Sequence, residues 1–145
     1  MDVCSLMQSK NRCLERFLRL SEKFMSDHRS CEGGLLDGLD RFQKEREDIL
    51  KAISLLDKKI HETAAAIERD AVTPALSAAV KNELDRKDMI VRLIIESDLK
   101  IISEIEKLKN EMINDIARER KAGRLIGKFK SEWVPKSGEE LDGSL

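Results

Sequence analysis

Aromatic residues are scarce in this chain of 145 residues. Tyrosine is absent, and four phenylalanines and one tryptophan make up only 3% of the sequence. Proteins that bind single-stranded nucleic acid usually stack bases on aromatic side chains, so the composition argues against that function. Charged residues make up 38% of the chain, but the formal net charge is only −1. This balance indicates solvated helix faces and argues against a general nucleic-acid binder.

Long apolar runs and cysteine pairs are also missing. No apolar segment reaches the length of a signal peptide or a transmembrane helix, and residues 89–95, among the longest, are interrupted by Arg92. Cys4, Cys13 and Cys31 cannot all pair and form no CxxC unit, so we expect reduced thiols. These features predict a soluble, cytoplasmic protein without membrane insertion.

Motifs for catalysis and cofactor binding are absent from the sequence. No glycine pattern matches a dinucleotide-binding or nucleoside triphosphate loop. His61 and Glu62 begin a zinc-protease motif, but Ala65 stands where the second histidine is needed. The carboxylates are spread over predicted helix surfaces, so no acid–base couple can be singled out. We therefore predict no enzyme, no metal, no cofactor and no small-molecule substrate.

Apolar residues instead recur every three or four positions, which is the pattern of helices packed side by side. The clearest apolar seam runs along the second predicted helix, and Arg46 and Thr63 stand at two positions where its spacing would place an apolar residue. The apolar members of that seam are Leu35, Leu39, Phe42, Ile49, Ile53, Leu56, Ile60 and Ile67.

Three helices follow from this periodicity and its breaks. The first two are predicted over residues 2–29, with Asp2 as N-cap, and over residues 35–69. The third begins at Pro74 after an N-cap at Thr73 and continues until Gly123 and Gly127. Short connections make neighbouring helices antiparallel.

The predicted fold is accordingly all-α. It is an antiparallel bundle of three long helices with a mobile or folded-back C-terminal helical segment and tail. The bundle domain would cover residues 1–122, and a flexible basic segment and tail would cover residues 123–145.

An arginine inside the apolar seam needs a partner if the seam closes over it. Counting 26 residues back from Val72 gives Arg46, and counting 26 residues forward gives Asp98, which interrupts the apolar pattern of the third helix. We predict a partly buried Arg46–Asp98 ion pair between helices. Its contribution would be to the register of the bundle, since a slip leaves both charges unpaired.

The third helix is predicted to outreach its partners. In the antiparallel arrangement the second helix extends alongside the third only as far as about Asn110. The apolar residues from Glu111 onward would therefore form a binding surface or fold back at Gly123 and Gly127. Residues 118–136 also carry seven basic and two acidic residues, a net charge of +5. This segment could bind a membrane surface, nucleic acid or an acidic protein face, or could simply be a solvated helix end.

The first two helices resemble flagellar type III export chaperones of the FlgN/FliT kind. That family has a leucine-rich first helix, followed by a helix with an acidic-Arg motif and two apolar residues, here residues 45–50 (EREDIL). The residues that carry the resemblance are Leu14, Phe17, Leu18, Leu20, Phe24, Leu36, Leu39, Phe42, Glu45, Arg46, Ile49, Leu50 and Ile53.

The resemblance implies a cytoplasmic escort that binds a filament-cap or hook-filament junction protein, prevents its premature assembly and delivers it to the export apparatus. We predict that Leu108, Met112, Ile113 and Ile116 form the docking stripe for this substrate. Its extension, or an intramolecular lid over it, would be formed by Leu125, Ile126, Phe129 and Trp133. Alternatively, the stripe closes the end of the bundle or forms a homodimer.

Two other functions remain open at this stage. A coiled-coil structural or scaffold subunit would dimerise permanently through the excess apolar face. A helical transcription regulator, or an antagonist of one, would act through the basic C-terminal segment, although the near-neutral net charge argues against direct DNA binding.

Overall fold

A computed structural model describes the backbone of residues 2–30 and 36–133 and the side chains of residues 2–28 and 38–129. It contains three α-helices: α1 (Val3–Ser30), α2 (Leu36–Ala65) and α3 (Pro74–Trp133). A single 3-10 turn, Arg69–Ala71, precedes α3, and the described ranges contain no strand. The prediction of an all-α helical bundle is confirmed.

Side-chain caps define the starts of α1 and α3. The Asp2 carboxylate accepts a hydrogen bond from the Ser5 backbone N–H at 2.7 Å. The Thr73 hydroxyl accepts one from the Leu76 N–H at 3.1 Å, and Pro74 occupies the first helical position. Each cap satisfies a backbone donor that lacks a partner within its own helix. Both predicted N-caps are therefore present.

The predicted ends of the second and third helices were wrong. Helix α2 ends at Ala65 rather than near residue 69. Just after its end, the Ile67 N–H donates to the Ala64 carbonyl in a tighter turn. Helix α3 passes through Gly123 and Gly127 and ends at Trp133. A glycine costs about 1 kcal/mol relative to alanine in a helix, but it keeps the N–H that the helix needs. A fold-back at these two glycines is consequently absent.

The chain divides into two compact units, Met1–Ser103 and Glu104–Leu145. The division falls within α3. The boundary at residue 122, with a flexible basic segment beyond it, stays a prediction. Residues 134–145, the predicted tail, lie outside the described residues.

In the first unit, α1 and α2 are antiparallel and approach each other closely. Near the start of α1, the Lys10 ammonium lies 2.6 Å from the Asp57 carboxylate near the end of α2. Near the other end of the pair, the rings of Phe24 and Phe42 stack with centroids 4.1 Å apart and planes at 7°. Both contacts join residues whose numbers rise in α1 as they fall in α2, which defines the antiparallel direction.

Polar contacts place α3 parallel to α1. The Asn11 amide donates to the Glu83 carbonyl at 3.0 Å and to the Glu83 carboxylate at 2.8 Å. One turn later, the Arg86 guanidinium donates to the Glu15 carboxylate, and this bond raises the pKa of Arg86. Asn11 is only 1% exposed, so its hydrogen bonds offset the cost of burying an amide.

The core of this unit is narrow and lies where the three helices meet. One cluster joins Leu14 and Phe17 of α1 to Ile53 of α2 and to Ile90 and Ile94 of α3. Each fully buried side chain of this size contributes about 1.5–3 kcal/mol through the hydrophobic effect. In the predicted α2 seam, Phe42 and Ile53 are buried, and the other described apolar members are partly buried. Leu35 lies outside the described residues.

Arg46 and Asp98 form an ion pair inside this bundle, at the level that the residue count predicts. An Arg46 terminal nitrogen donates to an Asp98 carboxylate oxygen at 2.9 Å, with side chains 24% and 29% exposed. The guanidinium carbon also lies 4.5 Å from the Phe17 ring centroid and 5.1 Å from that of Phe42. Arg46 thus connects all three helices through one charge pair and two cation–π contacts.

We expect Arg46→Leu and Asp98→Leu to lower the free energy of unfolding by about 2–3 kcal/mol each, because each leaves a partly buried charge without its partner. The double variant should lose clearly less than the sum of the two, since it leaves no stranded charge. Urea denaturation of the four proteins measures the coupling. Strictly additive losses would show that the pair does not act as a unit.

The Asp2 cap predicts a pH dependence at the start of α1. The Ser5 backbone hydrogen bond lowers the pKa of Asp2 below its ordinary value of 3.8. A lowered folded-state pKa means that the stabilisation is present above pH 3.8 and is lost as the pH falls through the folded value. Wild type should therefore melt above Asp2→Asn at about pH 6, and the difference should vanish at about pH 2. A difference that is constant across this range would contradict the assignment.

Candidate docking surface

Helix α3 carries one apolar stripe along its length, with neighbours three or four residues apart. In the first unit its members Ile90, Ile94 and Ile101 are buried at 6%, 9% and 3% exposure. The same spacing continues in the second unit at Ile105 and Leu108, which are partly buried, and then at Met112 and Ile116. The pattern that forms the core of the first unit therefore recurs in the second.

The second unit leaves this pattern uncovered. Every described side chain from Lys109 to Phe129 is exposed. Six of these residues are large and apolar, and their exposed fractions lie between 46% and 60%: Met112, Ile113, Ile116, Leu125, Ile126 and Phe129. Exposed apolar side chains that share one face of a helix are characteristic of an interaction site.

The continuous helix decides which of the predicted docking residues share a face. At about 100° per residue, Leu108, Met112, Ile116 and Ile126 lie on one side of α3. We call this side the docking face. Ile113 lies at its edge, and Leu125 lies on the opposite side of the helix.

The two remaining docking candidates are placed less favourably. Phe129 is 59% exposed and lies away from the centre of the docking face. Trp133 is the last residue of α3, and its side chain lies outside the described residues. Helix α3 does not turn back at Gly123 or Gly127. A lid formed by Leu125, Ile126, Phe129 and Trp133 stays a prediction.

Gly123 and Gly127 lie on the docking face itself. A Cβ atom added at either position would meet no described heavy atom within 4 Å. The sequence suggested that these glycines act as hinges, because glycine often ends a helix. In the structure they instead form a shallow, side-chain-free part of an exposed helix face.

Charge is distributed unevenly along the second unit. Residues 104–115 contain four acidic and two basic residues, a net charge of −2. Residues 116–129 contain five basic and one acidic residue, a net charge of +4. The Arg118–Asp115 pair, at 3.9 Å, joins the two halves but is well exposed and contributes little stability.

The first unit also exposes large apolar side chains on α3, among them Met89, Leu99 and Ile102 at 66%, 61% and 50%. A cleft of about 580 Å³ between α1 and α2 is lined by charges of both signs, among them Arg16, Arg19 and Asp48. The described residues contain no group of three His, Cys, Asp or Glu side chains that could hold a metal ion. Among the described helices, none combines the length and the hydropathy needed to cross a bilayer.

Sequence reasoning did not identify Asn11, which links α1 to α3. The one available signal was a gap in the α1 stripe, where Met7 and Leu14 are seven residues apart and a polar residue fills the place between them. If a polar residue at such a place is buried, it needs a hydrogen-bond partner.

Comparison with known proteins gives no relative. No family model matches the chain, no curated protein is similar to it, and no solved structure matches it.

Exposure of the docking face predicts that charges are tolerated there. Met112→Glu should change the free energy of unfolding by less than about 0.5 kcal/mol in dilute protein, because the side chain is 46% exposed. Ile101→Glu, at a position of the same stripe that is 3% exposed, should cost at least about 3 kcal/mol because it buries a carboxylate. Urea denaturation monitored by circular dichroism compares them. Equal losses would mean that Met112 belongs to a closed core.

Proposed function

We propose that this protein is a chaperone of flagellar type III secretion, which binds an export substrate in the cytoplasm and performs no chemistry. The observation that carries the proposal is the docking face of α3, where large apolar side chains are exposed on a regular helix. The proposed substrate is a filament-cap or hook-filament junction protein, and the proposed recipient is the export apparatus.

The physical logic of such an escort matches this surface. An export substrate with termini that are disordered before assembly exposes amphipathic segments that would otherwise associate prematurely. An amphipathic helix binds such a segment by aligning apolar side chains at spacings of three and four residues. Leu108, Met112 and Ile116 have this spacing.

The first unit supports the proposal through the motif at residues 45–50. In the resemblance, an arginine follows an acidic residue and precedes apolar positions on the second helix. Here that arginine is Arg46, whose side chain contacts Phe17, Phe42 and Asp98 in the bundle interior. An arginine at this place fixes the register of a small bundle, and this gives the motif a structural role.

The proposal predicts a face-specific loss of substrate binding. Met112→Glu/Ile116→Glu should weaken the binding of filament-cap and hook-filament junction subunits from the same organism by at least tenfold, or about 1.4 kcal/mol, because two carboxylates would be desolvated in the complex. Leu125→Glu is the matched control, since Leu125 is similarly exposed but lies on the opposite side of the helix. It should bind as wild type does. Isothermal titration calorimetry with each purified subunit measures the affinities.

The outcomes separate this function from its rivals. If no flagellar subunit binds the wild-type protein, the export proposal is wrong. If both variants bind normally, the function holds but the docking face is misassigned. An obligate rod-like oligomer, detected by light scattering at all concentrations, would favour the coiled-coil scaffold. Retention on heparin that falls steeply with salt would favour the regulator.

A further inference from the structure

The cleft between α1 and α2 in the first unit has an apolar floor between two charged walls. Its floor is formed by four half-buried residues: Cys13, Leu20, Ile49 and Ala52. Two of them, Cys13 and Ile49, also pack against the core cluster of the unit. The bundle interior therefore holds the floor in place, while its outer side faces the cleft.

The two walls of the cleft carry opposite charges. The α1 wall presents the exposed side chains of Arg16, Arg19 and Lys23, which repeat at intervals of three and four residues. The α2 wall presents Glu45 and Asp48, three residues apart. Side chains at these spacings lie on the same side of their helix. One wall is thus basic along its length, and the other is acidic.

These opposite charges do not pair across the cleft. Arg19 comes nine residues after Lys10, and Asp48 comes nine residues before Asp57. Because Lys10 and Asp57 are paired across the two antiparallel helices, Arg19 and Asp48 lie at the same level. Within the part of the chain that the structure describes, neither of them forms an ion pair, and neither do the other two basic residues of the α1 wall. A molecule inserted between the walls could satisfy both.

One segment of α2 contributes to both the bundle interior and the cleft. Within residues 45–50, Arg46 contacts the interior rings, whereas Glu45, Asp48 and Ile49 line the cleft. Glu45 also pairs with Arg41 on its own helix, but that pair is exposed and contributes little stability. It therefore competes only weakly with a cation from a partner.

The dimensions of the cleft suit an α-helix. Its α1 wall, from Cys13 to Lys23, is about 15 Å long, or about three helical turns. A helix that lies in such a groove turns an apolar stripe toward the floor and its two flanks toward the walls. Acidic side chains on the flank next to α1 and basic side chains on the flank next to α2 would be complementary to both walls.

We infer that this cleft is the docking site for an amphipathic α-helix of a partner protein, with acidic residues on one flank of its apolar stripe and basic residues on the other. Reversing the helix exchanges its flanks, so such a helix fits in one direction only. The inference goes beyond the proposed function and does not rest on it, because the cleft shares no residue with the docking face of α3.

Protection of a native thiol tests the inference. The probe is a synthetic helical peptide of about 14 residues, with leucines three and four residues apart, glutamates along one flank and an equal number of lysines along the other. At saturation it should slow the alkylation of Cys13 by iodoacetamide at least about tenfold, because it covers the floor of the cleft. Cys4 is the internal control, since it is also a free, half-buried cysteine but does not line the cleft.

Mass spectrometry after proteolysis measures the alkylation of both cysteines in the same sample. The rate at Cys4 should stay unchanged. An unchanged rate at Cys13 with the peptide at about 1 mM, the weak limit of specific binding, would overturn the inference.

Charge reversal on either wall tests the complementarity. Arg19→Glu and Asp48→Lys should each raise the dissociation constant of the peptide about tenfold, because each sets a like charge against one flank. Lys58→Glu is the matched control, since Lys58 is exposed on α2 but does not line the cleft. It should bind as wild type does, because the peptide has no net charge. Fluorescence anisotropy of the labelled peptide measures the constants, and equal affinities for all four proteins would contradict the assignment of the walls.

Two further results separate the cleft from other surfaces. The Met112→Glu/Ile116→Glu variant should retain full protection of Cys13, and loss of protection there would assign the peptide to the docking face and refute the inference. A peptide with glutamates on both flanks should bind at least about tenfold more weakly, because one flank would then face Glu45 and Asp48. Equal binding of this peptide would show that the α1 wall acts alone as a basic patch, and the helix groove would be wrong.

Discussion

The first unit depends on one charge that has to be satisfied between helices. Arg46 occupies a place in an apolar seam, and its guanidinium is matched there by the Asp98 carboxylate and by the rings of Phe17 and Phe42. Phe42 in turn stacks on Phe24, so that the aromatic side chains of α1 and α2 are ordered around the same group. Since apolar contacts alone permit helices to slide by a turn, this charge gives the bundle a single register.

A second polar connection fixes the remaining helix pair. The buried amide of Asn11 bonds to both the backbone and the side chain of Glu83, and this specifies how α3 lies along α1. The two polar contacts are well separated along α3, at residues 83 and 98. A slip of α3 would leave polar groups without partners at both places, which would destabilise the slipped arrangement. A narrow core with few aromatic residues is thereby held in one arrangement.

The sequence predicted those features that arise from local chemistry and from counting. The caps at Asp2 and Thr73, the helix pattern and the level of the Arg46–Asp98 pair all follow from residue type and spacing. The end of α3 did not follow, because glycine only weakens a helix, and its effect depends on the neighbouring residues. Because a break was predicted at Gly123, the sequence also did not show that Leu125 and Ile126 lie on different sides of one continuous helix. Asn11 was missed because hydrogen bonding between distant residues leaves no periodic signal.

The two glycines within α3 have a consequence for the helix–coil equilibrium of the second unit. Each weakens the helix by about 1 kcal/mol relative to alanine, and the described side chains beside them are exposed. The two glycines therefore make this part of α3 easier to unfold locally than a helix with alanine at both positions. Any molecule that covers this segment raises its helix content as it binds, so that ordering and recognition become a single thermodynamic event.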